Sequence, residues 1–308
     1  MFHYRELDKY LILFDYGYRV ATGKYHIDYF YFSFIIFFLF ESTPLFAQED
    51  STRVGDSIAG AIEVAKPVLM KKDSLVLYRI NGRYLKSYWH SFKSVVTAPT
   101  RWDADNWKEF VIVAGTAGVM FAGLDKPVGH FFQSNTATFW DGVEDVFYPL
   151  GNRFPPLLLT SMYVGSIAFR DRKLEHNTLM ITKSLVISTI FYTATKALIR
   201  RERPYRTENS YSFTTPFSKN DFTSFPSGHA NTAFSVATGF AMQYKHIRWV
   251  PWVAYSVAAL TSLSRVYQNR HWASDVIIGS AIGHYVTKTV IRAEDKRNLR
   301  KKSLIVIP

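Results

Sequence analysis

The sequence predicts an all-α protein, a bundle of about six helices embedded in a membrane. Three observations carry that expectation. Apolar, helix-compatible stretches recur at 109–123, 156–169, 178–199, 229–243, 249–264 and 274–291, separated by polar loops with Gly, Pro, Asn and Asp punctuation. None of them alternates apolar and polar residues in the manner of a half-buried strand, and no repeat or low-complexity tract intervenes. The composition, 48% hydrophobic and 17% aromatic in 308 residues, supplies enough apolar surface for a large core or a set of membrane helices.

Residues 29–40, YFYFSFIIFFLF, are an apolar run of 12 residues, short of the roughly 20 that span a bilayer and suited to the core of a secretory signal. Small Ala47 precedes a polar stretch and marks a cleavage point. Residues 1–47 are therefore expected to be a signal peptide or an N-terminal anchor. The 28 residues ahead of the apolar run are long for a signal's basic region and carry acids as well as bases. That leaves two options: a start downstream of Met1, or an uncleaved anchor. Residues 48–108 read as a polar extension, 109–291 as the helical domain and 292–308 as a basic tail.

Within the domain, 229–243 is rich in small and polar residues, Lys183 sits inside another apolar stretch, and the mean hydropathy is only −0.05. Loop charge favours a membrane. Arg170, Arg172 and Lys173, then Lys245 and Arg248, then the basic tail fall on one side if the helices alternate, and by the positive-inside rule that side is cytoplasmic. Loops 200–228 and 265–273 then face the periplasm. This topology leaves the segment before 109 in the cytoplasm, whereas a cleaved signal delivers it outside. Either 109–123 does not cross, or the signal is an anchor, or the bundle is soluble and exported. The location expected is the cell envelope, an inner membrane with the site on the periplasmic face or, alternatively, a soluble periplasmic protein.

The net charge of +12 is scattered between apolar segments, and no nucleic-acid-binding motif accompanies it. The absence of cysteine excludes disulfides, thiol nucleophiles and cysteine-ligated metals. Three clusters carry chemistry, all on the same expected side. Lys196 and Arg203, seven positions apart at a helix end stopped by Pro204, put two cations within reach of one anion. Pro226, Ser227 and Gly228 shape a helix start whose free backbone N–H groups suit an anion, with His229 beside them. His271 and Asp275, four apart, share a helix face, so the carboxylate can orient the imidazole; Ser264 and Arg265 precede them. Each cluster alone has an ordinary structural explanation. Together they assemble three cations, a helix N-terminus, two histidines and an acid, the parts needed to stabilise charge on a transferring phosphoryl group. No acid or histidine array offers a metal site, so no metal or cofactor is expected.

The order Lys-x6-Arg-Pro, Pro-Ser-Gly-His, Ser-Arg-x5-His-x3-Asp resembles the type-2 phosphatidic acid phosphatase family, which shares its pattern with bacterial acid phosphatases and vanadium haloperoxidases. All eleven specified positions agree, between residues 196 and 275. The resemblance implies a phosphatase acting on a phosphorylated lipid at a membrane. In it His271 is the nucleophile that forms a phosphohistidine, Asp275 orients His271, and His229 is the acid–base. Lys196, Arg203, Ser227, Gly228 and Arg265 would hold the phosphoryl oxygens. Arg200, Arg201 and Arg206 read as extra loop cations facing headgroups, and segments 124–155 and 205–224 as the loops that select the substrate. The alternatives are a soluble exported acid phosphatase of broad specificity, a haloperoxidase holding vanadate as cofactor, and a lipid-binding scaffold with an inert site.

Overall fold

The computed structural model describes residues 77–218 and 221–305, so the expected signal or anchor and most of the polar extension lie outside the described residues. The described chain is all-α apart from one antiparallel two-residue ladder. Nine α-helices follow in order: α1 (Gly82–Val96), α2 (Ala104–Val119), α3 (Asp125–Ser134), α4 (Thr138–Phe147), α5 (Phe154–Ala168), α6 (Arg172–Leu198), α7 (Gly228–Gln243), α8 (Trp249–Tyr267) and α9 (Ala273–Ile305). The ladder joins β1 (Arg200–Arg201) to β2 (Phe213–Thr214), pairing Arg200 with Thr214 and Arg201 with Phe213.

The six expected stretches become α2 and α5 to α9, and three more helices appear. α1 forms inside the polar extension. Asn81 caps it by accepting from the Tyr84 amide at 3.0 Å. Its buried face carries Tyr84, Ser87 and Ser91, which gives it no apolar signature. The segment 124–155, expected to be loop, is largely helical. α2 runs through a π-helical turn, Met120–Leu124, into α3, and α4 follows. The boundary expected at 291 falls within α9, because Glu294 is buried there between Lys183 of α6 (2.9 Å) and Ser91 of α1 (2.9 Å).

α7 lies at the centre, against α6, α8 and α9. Its small and polar composition follows from that position. Ala230, Ala233, Ala237, Gly239 and Ala241 are buried, and Asn231 accepts from Ser188 of α6 at 2.6 Å. Small side chains let backbones approach closely. The closest approach is between α7 and α9, where a Cβ on Gly279 would meet the Ser227 carbonyl oxygen at 2.3 Å and one on Gly283 the Asn231 carbonyl oxygen at 2.3 Å. These two glycines, one helical turn apart, let the start of α9 lie directly against the start of α7, and both ends belong to the site described below.

Away from this centre, large apolar side chains are exposed on several helices. Trp107, Phe110, Val111, Ile112 and Val119 of α2 are exposed, as are Val164 and Ile167 of α5 and Trp252 and Val253 of α8. The continuous helix Ala104–Ser134, 31 residues with little of its apolar stretch buried, is long and apolar enough to cross a membrane, the one such helix among the described residues.

Gly279→Ala is expected to destabilise the fold, because the neighbour it strikes is backbone. Overpacking of this kind costs about 2–3 kcal/mol or more, a fall in Tm of roughly 4–12 °C. Thermal unfolding checks this, and an unchanged Tm would refute the close-packing argument.

Candidate active site

The C-terminal ends of α6 and α8 and the N-terminal ends of α7 and α9 meet at one end of the bundle and bring the three sequence clusters together. Lys196, in the last turn of α6, donates to the Thr223 carbonyl at 2.6 Å. Arg203 follows on extended backbone and donates through Nε to the Thr223 hydroxyl at 3.1 Å. Thr223 thus anchors both cations, although nothing in the sequence singled it out. Ser227 caps α7, its hydroxyl accepting from the Ala230 amide at 3.5 Å, and its own amide donates to the Asp275 carbonyl at 3.0 Å. The first amides of α7 are left pointing out of the helix end.

His271 lies in the turn between α8 and α9, after Asn269 in the left-handed region at φ 56°. Its imidazole is buried, and Nδ1 lies 2.7 Å from the Ser224 carbonyl oxygen. A carbonyl can only accept, so Nδ1 carries the proton and Nε2 keeps the lone pair. The expected direct bond to Asp275 is not made, since Nδ1 and the nearer carboxylate oxygen are 4.0 Å apart. Asp275 acts one step back. Its Oδ2 accepts from the Ser224 hydroxyl at 2.5 Å and the Trp272 amide at 3.0 Å, which fixes the segments on either side of the imidazole. Its Oδ1 accepts from Arg201 at 2.7 Å.

Arg201 is therefore not a headgroup-facing loop cation. It is 1% exposed and uses all five N–H donors within the protein. They reach the Ser210 carbonyl twice (3.0 and 2.7 Å), the Ser274 hydroxyl (2.8 Å), Asp275 (2.7 Å) and Asp125 (2.7 Å). The rings of Phe121, Phe213 and Trp272 surround it at 5.1–5.7 Å. Arg206, by contrast, is exposed and paired with Asp221 at 2.9 Å.

On the opposite wall, Tyr148 stacks on His229 with centroids 5.0 Å apart and planes 23° from parallel, and the Arg265 guanidinium lies 4.7 Å from the same ring. His229 Nε2 and the Nε and one terminal nitrogen of Arg265 are buried without a hydrogen-bond partner. Buried donors without acceptors are costly. Two such donors belong to Arg265, and the charges of Lys196, Arg203 and Arg265 all bear on His229.

These groups lie together at one end of the helical bundle. Residues 178–299 match the PAP2 superfamily. A stretch of 61 residues is 49% identical to the lipid A 1-phosphatase of Porphyromonas gingivalis, covering 20% of this chain and 14% of that protein. Another, of 118 residues, is 30% identical to the undecaprenyl-diphosphatase of Sulfolobus acidocaldarius, covering 38% of this chain and 55% of that protein. The chain thus spans about half or less of these relatives. A solved transmembrane PAP2-type phosphatidylglycerolphosphate phosphatase from Bacillus subtilis aligns with a TM-score of 0.49 at 21% identity, over 60% of this chain and 96% of its own.

Burial and the neighbouring charges of Lys196, Arg203 and Arg265 push the His271 pKa well below its ordinary value of 6.5, with the Ser224 carbonyl opposing them weakly. Both main effects disfavour imidazolium, so the ring stays neutral as pH falls through 6.5. A titration of 15N-histidine-labelled protein should show no His271 transition between about pH 6 and 8. A midpoint at or above 6.5 would contradict the electrostatic account.

Proposed function

We propose that the protein is a lipid phosphatase of the cell envelope that releases phosphate through a phosphohistidine on His271. The observation that carries this reading is the pair of unpartnered buried donors of Arg265 and the unpartnered Nε2 of His229, together with the neutral, tautomerically fixed imidazole of His271 among the cations Lys196 and Arg203. Nε2 of His271 attacks phosphorus in line, the N–P bond forms and the P–O bond to the lipid breaks. His229 gives its proton to the departing oxygen. The arriving phosphoryl group brings negative charge beside His229, which favours the protonated form this step needs. In the second half His229 takes a proton from water, the water oxygen attacks phosphorus, and orthophosphate leaves as His271 Nε2 regains its lone pair. Lys196, Arg203, Arg265, Ser227 and the Gly228 amide hold the equatorial oxygens, where charge grows in the transition state. Asp275 contributes through Ser224 and Trp272, keeping the Nδ1–H of His271 on its carbonyl partner.

A lipid substrate is supported by two features. Large apolar side chains are exposed on α2, α5 and α8, and Ala104–Ser134 is long and apolar enough to span a bilayer. The curated relatives bear the names of a lipid A phosphatase and an undecaprenyl-diphosphatase, both acting on lipid-borne phosphate. The site then opens at the membrane surface, on the periplasmic side if the positive-inside assignment of the loops holds.

Phosphate release from phosphatidic acid and from a polyprenyl diphosphate in mixed micelles, with chelator present, tests the reading. Wild type is expected to turn over and to be inhibited competitively by vanadate. His271→Ala, with unchanged thermal unfolding, is expected to lose activity by roughly a thousandfold or more. Substantial turnover by the folded variant would refute His271 as nucleophile. Release from soluble phosphomonoesters alone would refute the lipid substrate.

A further inference from the structure

Asp125 lies 53 residues upstream of the segment that matches the superfamily, at the start of α3 and 1% exposed. It reaches the site because the π-helical turn Met120–Leu124 puts an extra residue into the long helix, turning the face that follows. Its Oδ2 accepts from Arg201 at 2.7 Å and from the Ser274 hydroxyl at 2.6 Å, and its Oδ1 accepts from the Ser274 amide at 2.9 Å. Ser274 and Asp275 form the first turn of α9, three and four residues after His271. Asp125 therefore grips both the guanidinium that holds Asp275 and the backbone that carries it.

We propose that Asp125 is a positioning residue of the phosphoryl-transfer site, acting through Arg201 and the first turn of α9 to hold Nε2 of His271 toward the pocket. The proposal rests on the phosphatase reading for its kinetic consequence. The physical chain is continuous: Asp125 to Arg201 and Ser274, Arg201 to Asp275, Asp275 to the Ser224 hydroxyl and the Trp272 amide, and the Ser224 carbonyl to His271 Nδ1–H. Without the Asp125 carboxylate, Arg201 is shared by one acid instead of two, and the Ser274 amide loses its acceptor. The turn carrying His271 is then free to shift, and misplacements of about 1 Å at a reacting atom cost about 100-fold in rate.

Asp125→Asn keeps the shape but turns one acceptor into a donor. A control comes from the other buried ion cluster, where Lys183 meets Glu294 at 2.9 Å far along α6 and α9 from the pocket. Asp125→Asn is expected to lower kcat by roughly 10- to 100-fold per folded molecule, with KM little changed, whereas Glu294→Gln loses stability and keeps its kcat. Ser274→Ala, which removes only the hydroxyl joining Asp125 to Arg201, gives a smaller kcat loss and carries the test if Asp125→Asn does not fold. In 15N-histidine spectra, which need no substrate, Asp125→Asn should lose or shift the His271 Nδ1–H signal that the Ser224 carbonyl holds in wild type. Unchanged kcat and an unchanged signal overturn the positioning role, as does an equal kcat loss in Glu294→Gln. A displaced signal in a protein whose wild type releases no phosphate upholds the positioning role and overturns the phosphatase reading alone.

Discussion

The site depends on one buried guanidinium. Arg201 leaves water completely, and the interior compensates it with two carboxylates, a hydroxyl, a backbone carbonyl and three aromatic faces. Removing one partner from such a pair typically costs about 3–5 kcal/mol, because it strands the other charge. The elements bearing these groups are consequently fixed relative to one another: the α2–α3 helix through Asp125, the β1–β2 loop through Ser210, and the start of α9 through Ser274 and Asp275. His271 sits on the turn that enters α9, and its partner Ser224 is held by the same Asp275. Rigidity built behind the imidazole is what lets one ring nitrogen point into the pocket with its lone pair free.

In front of the imidazole the electrostatics reverse. Lys196, Arg203 and Arg265 converge around His271, and an anion bound among them would lower their mutual repulsion. The two arginines differ in the partners that meet them. Arg201 meets acids behind the site, whereas Arg203 meets the Thr223 hydroxyl and the carbonyl of Arg270, neutral acceptors that leave its charge available. The close approach of α9 to α7 at Gly279 completes the pocket, bringing the His229 helix start against the helix that follows His271.

Six helices and all three motif clusters were legible because apolar periodicity and short-range spacing encode them. α1 was harder to see because two of its most buried residues, Ser87 and Ser91, are hydroxyls that meet Lys183 and Glu294, a polar contact that looks like solvent exposure in the sequence. α3 was hidden because the π-helical turn breaks the period. Spacing predicted that His271 and Asp275 share a helix face, whereas His271 lies in the turn ahead of α9, and Ser224 and Trp272 occupy the carboxylate and leave the imidazole to a carbonyl. Nor could it say which arginine of Arg200-Arg201-Glu202-Arg203 would be buried, since the deciding partner, Asp125, is 76 residues away. Tyr148, which stacks on His229 and lies under Arg265, gave no local signal at all. An isolated aspartate just after an apolar helical stretch, as in Gly123-Leu124-Asp125, was the one available hint of a remote contributor.

The account stands most directly on the covalent intermediate. Wild-type protein would be mixed with a 32P-labelled lipid phosphate, quenched within a single turnover in alkali and digested for peptide mapping. Label is expected on the peptide containing His271, stable to base and lost in acid, as a phosphoramidate is. Label on a different residue, or turnover with no labelled protein at any quench time, would contradict it.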